Sequence, residues 1–123
     1  MKKLLFVFAL FLTACGGSAQ SLLSAPEITP EMNASMTAYA DQYDVWYPGN
    51  EQNIARECAD NPTAVYWSDE LKAFAVTCPL PWSANSFGMV TFDESGALLN
   101  AFGLGANSQG ELSKTLATLG WKR

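Results

Sequence analysis

The longest regular pattern in the chain is a stripe of large side chains that begins after Thr29 and Pro30. Its members recur at alternating steps of four and three residues, which is the spacing of one helix face. Thr29 suits an N-cap, Pro30 suits the first helical turn, and Pro48-Gly49 ends the pattern. We therefore predict a helix of at least four turns that begins at residue 30, and whose striped face packs on the core and is not a ligand surface. The stripe consists of Met32, Met36, Tyr39, Tyr43 and Trp46.

Short apolar runs and turn-forming residues alternate through the rest of the chain. Asn50 is a candidate cap for a short helix that carries Ile54 and Cys58 on one side and ends at residues 60–62. Four runs rich in β-formers follow, two of them joined by a turn that contains Gly96. The predicted strands are Thr63–Trp67, Lys72–Cys78, Phe87–Phe92 and Ala97–Leu104.

A last helix is predicted from the capping box of Ser108 and Glu111, with Leu112, Leu116 and Leu119 on one face. Short connections favour a meander of neighbouring strands. The predicted fold class is α+β: a small two-layer domain with a four-stranded antiparallel sheet, helices on one face and one disulfide.

An apolar run at the N-terminus, Leu4–Leu12, follows Lys2 and Lys3, as in a secretory signal. It is shorter than the roughly 20 residues that cross a bilayer. The motif Leu12-Thr13-Ala14-Cys15 at its end resembles the lipobox of bacterial lipoproteins. The resemblance implies cleavage before Cys15, a diacylglyceryl group on its thiol and an acyl chain on the new amine.

The residue after the cysteine is Gly16 and not the Asp that retains such proteins in the inner membrane, so the resemblance implies the outer membrane. Residues 17–19, Gly-Ser-Ala, leave an alternative open: an ordinary signal cut before Gln20 would discard Cys15 and release a soluble periplasmic protein. The expected organisation is a signal over residues 1–14, a lipidated Cys15 with a flexible tether over 15–30, and a single periplasmic domain over 31–123.

Cys58 and Cys78 are the two cysteines left after lipidation, and an exported chain meets an oxidising compartment. A domain of about 90 residues buries only ~60–65% of its unfolded surface, so a covalent staple is valuable. We predict a Cys58–Cys78 disulfide. The alternative, a two-cysteine metal site, lacks further ligands because the chain contains no histidine.

Acidic side chains dominate the charge of the mature chain. Removing residues 1–14 leaves five cations against twelve acids, a formal charge of −7. Nucleic acid is excluded as a partner on this ground, and an anionic membrane surface would repel the domain, which leaves the lipid as the attachment. The field favours a basic protein or a cation.

The chain offers little for catalysis. Without histidine there is no Ser-His-Asp or Cys-His system, and Gly103-Leu104-Gly105 lacks the rest of a dinucleotide fingerprint. We expect no enzyme activity, no cofactor and no metal. In a meander the first and third hairpin turns share one rim, where acids could dock a basic partner; a carboxylate-only hydrolase or a calcium site there remain alternatives. These acids are Asp69, Glu70, Asp93 and Glu94.

The connection between the second and third strands carries Pro79-Leu80-Pro81-Trp82. Two prolines stiffen it, and tryptophan is enriched at binding hot spots, so Trp82 with Leu80 is a candidate recognition site. The alternative is that both side chains fold under and cover the end of the core.

Together these features predict an outer-membrane-anchored periplasmic lipoprotein that binds an envelope protein or assists envelope assembly. Two alternatives stay open: an inhibitor or immunity protein against a basic cell-wall hydrolase, and a small-ligand-binding lipoprotein.

Overall fold

The computed structural model describes residues 26–123, so the signal, Cys15 and most of the predicted tether lie outside the described residues. Within that range three helices and five strands follow one another, and the strands form one antiparallel sheet in the order β4-β3-β2-β1-β5. The helices are α1 (Pro30–Trp46), α2 (Ile54–Asp60) and α3 (Gln109–Thr118). The strands are β1 (Ala64–Ser68), β2 (Ala73–Pro79), β3 (Ser86–Asp93), β4 (Leu98–Gly105) and β5 (Trp121–Lys122).

The α+β class and the antiparallel sheet are confirmed, and each predicted strand lies within one residue of its observed bounds. Strands β1 to β4 form a meander in which each pairs with the next. The strand count is five and not four, because Trp121 and Lys122 pair with Ser68 and Trp67 of β1. Gly120, with a φ of +94°, turns the chain back after α3. A strand of two residues is too short to produce an alternating pattern in the sequence.

Helix α1 begins as predicted, with the Thr29 side chain accepting a hydrogen bond from the Met32 amide at 3.1 Å and Pro30 in the first turn. Only the first half of its stripe reaches the core: Met32 and Met36 are fully buried, whereas Trp46 is 55% exposed. The prediction that the whole stripe packs inward is therefore wrong for its C-terminal end. Ala40 takes the next buried position, and its small side chain lets α2 come close.

The close approach of α2 to α1 depends on Asn53. Its side chain caps α2 by accepting from the Arg56 amide at 3.1 Å, so the cap is Asn53 and not the predicted Asn50. The same side chain donates to the Ala40 carbonyl at 2.9 Å and to Asp44 at 3.0 Å. One buried amide therefore ends the loop and attaches it to the preceding helix.

The helices cover both faces of the sheet. Helices α1 and α2 pack on one face, over β2 and β3, around Val76, Val90 and Phe92. Helix α3 packs on the other face, so the predicted arrangement with all helices on one face is wrong. The reason lies in the central strands, whose alternate residues are apolar on both sides; on β2, Ala73 and Ala75 face α3 while Val76 faces α2.

The predicted disulfide is present. Cys58 of α2 and Cys78 of β2 are bonded, with 5.0 Å between their Cα atoms, and both are fully buried. The bond closes a separation of 20 residues and joins the α2 layer to the centre of the sheet.

Candidate functional site

Helix α3 covers only part of its face of the sheet. Leu112 and Leu116 are buried against β1 and β2. Polar contacts fix this position: the Tyr66 hydroxyl lies 2.6 Å from the Ser113 hydroxyl and accepts a hydrogen bond from Nε2 of the Gln109 side chain at 3.0 Å. Because Tyr66 lies on β1, the helix is held at that side of the sheet. On the same face β4 is left open, whereas Met89 of β3 is buried in the α3 cluster.

The uncovered face forms an apolar groove between α3 and β4, which we call the α3 groove. Its volume is about 430 Å³, and its lining includes four of the seven large hydrophobic side chains that are exposed in residues 26–123. These four are Leu71 (62% exposed), Leu99 (53%), Phe102 (38%) and Leu119 (63%). Met89, Leu104, Leu116 and Trp121 form the floor and one wall, with Thr91 and Asn100 as the polar contributors and no charged side chain.

The geometry of the α3 groove suits a protein partner better than a small ligand. Small-molecule sites enclose most of their ligand, whereas three of the lining leucines are more than half exposed. Contiguous exposed apolar patches on a small domain are typical of protein interaction surfaces. The groove is therefore the strongest candidate for a binding site among the described residues.

Sequence reasoning missed the groove because it needs two non-local facts. The apolar residues of β4 indicate a strand, but only the position of α3 decides which of them stay uncovered. Leu119 was predicted on the buried face of the last helix, yet it follows the helix as its C-cap and points outward. The available signal was an edge strand, Leu98–Gly105, with apolar residues on both faces and no charge.

The four predicted acids lie at one end of the sheet, because Ser68 pairs with Ala73 and Ala73 pairs with Asp93. Two of them have structural partners. Asp69 accepts from Lys122 at 2.6 Å and from the Trp67 indole at 2.7 Å, and these hydrogen bonds lower the pKa of Asp69.

Asp93 closes the β3–β4 turn. Its carboxylate accepts from the Ser95 hydroxyl at 2.6 Å, from the Ser95 amide at 2.9 Å and from the Ala97 amide at 3.0 Å. These bonds lower the pKa of Asp93, the Ser95 side chain contributing most. Glu70 and Glu94 are exposed and form no salt bridge within residues 26–123, and Glu70 lies beside Gly120, next to the groove.

The second predicted recognition site lies at the opposite end of the sheet. Leu80 is only 7% exposed and belongs to the core under α2, and Trp82 packs against the same cluster. Trp82 also lines a shallow depression of about 350 Å³ together with Glu51, Gln52 and Glu57. The structure thus places Leu80 inside the domain and leaves Trp82 partly accessible beside two acids.

Among residues 26–123, no helix combines the length and apolar character needed to cross a lipid bilayer, and no cluster of three or more acidic or cysteine side chains is arranged to bind a metal ion. Comparison of the chain with protein-family models, curated protein sequences and solved structures gave no match.

Proposed function

We propose that this chain is a non-enzymatic envelope lipoprotein, anchored through Cys15, whose domain binds a partner protein in the α3 groove. The observation that supports the binding role is the concentration of exposed large hydrophobic residues in this one groove. The lipobox motif supports the anchor and the periplasmic face of the outer membrane as the location.

The chemistry of the groove specifies the contact segment of the partner. An uncharged lining favours apolar side chains such as Leu, Val or Phe, because a buried unpaired charge would be costly there. Burial of each such side chain contributes about 1.5–3 kcal/mol before the costs of association.

Charge specifies what flanks that segment. The mature chain carries twelve acids and five cations, and two of those cations, Arg56 and Lys122, already form salt bridges within the domain. Glu70 lies where the groove meets the acidic end of the sheet. We therefore expect lysine or arginine next to the apolar segment of the partner. One kind of partner with these properties is a basic cell-wall hydrolase, which this chain would inhibit.

The decisive variant is Leu99→Ser combined with Leu119→Ser, which replaces two exposed leucines of the groove. Capture of the partner from an envelope extract at low salt should fall at least about tenfold, since two apolar contacts are lost. Val45→Ser is the matched control: Val45 is 72% exposed but lies at the end of α1, outside the groove. Thermal unfolding of each variant checks that the domain is folded.

The proposal would be wrong if the double variant captures the partner as well as the parent chain does, or if Val45→Ser causes the same loss. A second arm tests the charge: Glu70→Gln with Glu94→Gln should slow association and weaken its salt dependence, with little change in dissociation. Neutralising Glu51 and Glu57 in the same way changes the net charge equally at the distant end of the sheet, and it should have the smaller effect.

A further inference from the structure

The two edges of the sheet differ in how they are protected against pairing. The β5 edge is two residues long, and its Lys122 is held by Asp69 at 2.6 Å. The β4 edge is eight residues long and contains neither a charged residue nor a proline. Short length, charge and proline are the usual devices that keep an edge from pairing. Apart from a bulge at its start, opposite Thr91 and Phe92, β4 has none of them.

The alternating hydrogen-bond pattern along β4 shows which of its backbone N–H and C=O groups do not bond to β3. Ala106 donates to the Asn85 carbonyl at 3.0 Å, directly beyond the pair Ser86–Gly105. In an antiparallel ladder the bonded and non-bonded pairs alternate, so residues 104, 102 and 100 bond to β3. Residues 101, 103 and 105 therefore direct their N–H and C=O groups to the open edge. No hydrogen bond from another residue in 26–123 reaches them.

We propose that this edge pairs with β4 of a second copy of the chain, antiparallel, with Gly103 on the two-fold axis. In this register Gly103 is opposite Gly103 of the second copy, and Ala101 is opposite Gly105. Phe102 then faces Leu104 of the second copy twice, on the groove side of the sheet, which gives two apolar cross-strand pairs. The two α3 grooves become neighbours in one continuous ten-stranded sheet.

Charge does not prevent a second copy from pairing at this edge. The paired strands carry no charge, so the net charge of −7 of the mature chain does not act at the contact itself. It still repels at a distance, and salt screens that repulsion. Added salt should therefore strengthen the pairing, whereas it should weaken the capture of a basic partner. In this register residues 101–105 of the two strands pair over about 17 Å. Such a contact buries less than the ~800 Å² per partner of a standard interface, so we expect a weak dimer.

Cysteine cross-linking in cells tests the register and traps a weak pair. The full chain is made with Gly103→Cys, Ala101→Cys or Gly110→Cys, treated with a mild oxidant and separated without reductant. A Cβ at Gly103 meets its nearest atom at 3.8 Å, so the substitution fits. Gly103→Cys should give about tenfold more disulfide-linked dimer than Ala101→Cys. In the proposed register the Cα atoms of the two residues 101 would be ~14 Å apart, beyond the ~7 Å Cα–Cα limit for a disulfide.

Two further results complete the test. Ala101→Cys made together with Gly105→Cys should cross-link efficiently, and Phe102→Lys should lower the yield from Gly103→Cys about tenfold, because a charge then enters the apolar pair. Equal yields at positions 101, 103 and 110 would indicate random collision and overturn the proposal. A Gly103→Cys disulfide to a different protein would also overturn it. Neither failure affects the proposed function, because the test of groove binding uses Leu99 and Leu119 and does not require a dimer.

Discussion

At the scale of single residues, the β3–β4 turn shows how one glycine joins two distant parts of the chain. Gly96 has a φ of +90°, and a Cβ built on it would lie 2.7 Å from Cβ of Glu31 in the first turn of α1. Its carbonyl accepts from the Ser35 hydroxyl at 2.8 Å. The position therefore requires glycine for its backbone conformation and for the close approach of the helix.

Gly96→Ala should lower the free energy of unfolding by about 2–4 kcal/mol, because backbone strain adds to the clash with α1. Gly49→Ala is the matched control, since Gly49 has a similar φ of +82° but no atom within 4 Å of a built Cβ. It should cost only about 1–2 kcal/mol. Urea unfolding of both variants measures the difference, and equal losses would show that the contact with α1 is unimportant.

Asp93 makes stability depend on pH. Its pKa is lowered from 3.8 in the folded state by the bonds from Ser95 and Ala97, so the unfolded chain binds its proton more readily. The stabilisation is therefore present above the unfolded pKa and is lost as the pH falls through the lower, folded pKa. Asp93→Asn should be less stable than the parent at pH 7, and the gap should narrow by about pH 2. Glu94→Gln removes a neighbouring charge without these bonds, and it should show a smaller change between the two pH values.

At the scale of elements, the disulfide joins α2 to the centre of the sheet. Cys58 lies in a helix of seven residues, too short to be stable by itself, and its bond to Cys78 holds that helix over β2 and β3. Asn53 attaches the same helix to α1, so α2 forms the connection between the first helix and the sheet.

Reduction of this disulfide should lower the free energy of unfolding by about 2–4 kcal/mol. The measurement compares urea unfolding of the Cys58→Ala, Cys78→Ala double variant with that of the parent chain. Cys15→Ser should leave the unfolding of the domain unchanged, because residue 15 precedes it. Two free thiols at positions 58 and 78 in protein taken from the envelope would contradict the prediction.

The sequence specifies elements better than their arrangement. Strand bounds were predictable within one residue because period-two patterns and turn residues are local signals. The side of the sheet that α3 covers was not predictable in this way, because it depends on contacts between distant residues. One example is the contact of Tyr66 with Ser113, 47 positions away. The candidate site depends on the same arrangement, so the pattern indicated its strand and its helix but not the space between them. Leu80 shows the same limit, because an apolar residue beside prolines in a loop suits either a recognition site or the core, and only the structure places it in the core.

At the scale of the whole molecule, the two faces of the sheet are unequally covered. Helices α1 and α2 pack on one face, while the single helix α3 leaves β4 uncovered on the other. The acidic end of the sheet meets the open groove at Glu70. The domain therefore presents its apolar surface and part of its negative charge on the same side.

In the proposed function, Cys15 holds this surface at a membrane. Cys15→Ser should yield an unprocessed or soluble chain and not a mature membrane-bound one, because no other residue at the predicted cleavage point offers a thiol. Fractionation and intact-mass measurement give the readout, with the parent chain expected to carry the mass of the attached lipid. A mature N-terminus at Gln20 would contradict the lipoprotein assignment.

The contact of Ser35 with Gly96 also has a consequence for the order of assembly. The two residues are 61 positions apart, and the apolar face of α1 packs against Val90 and Phe92 of the same late hairpin. A chain that emerges from a ribosome or a translocation channel with its N-terminus first presents α1 long before that hairpin exists. Met32 and Met36 then have no packing partner for most of synthesis or export. We therefore expect the emerging chain to depend on a chaperone during that interval, and to acquire its protection against proteases only after β3 and β4 have appeared.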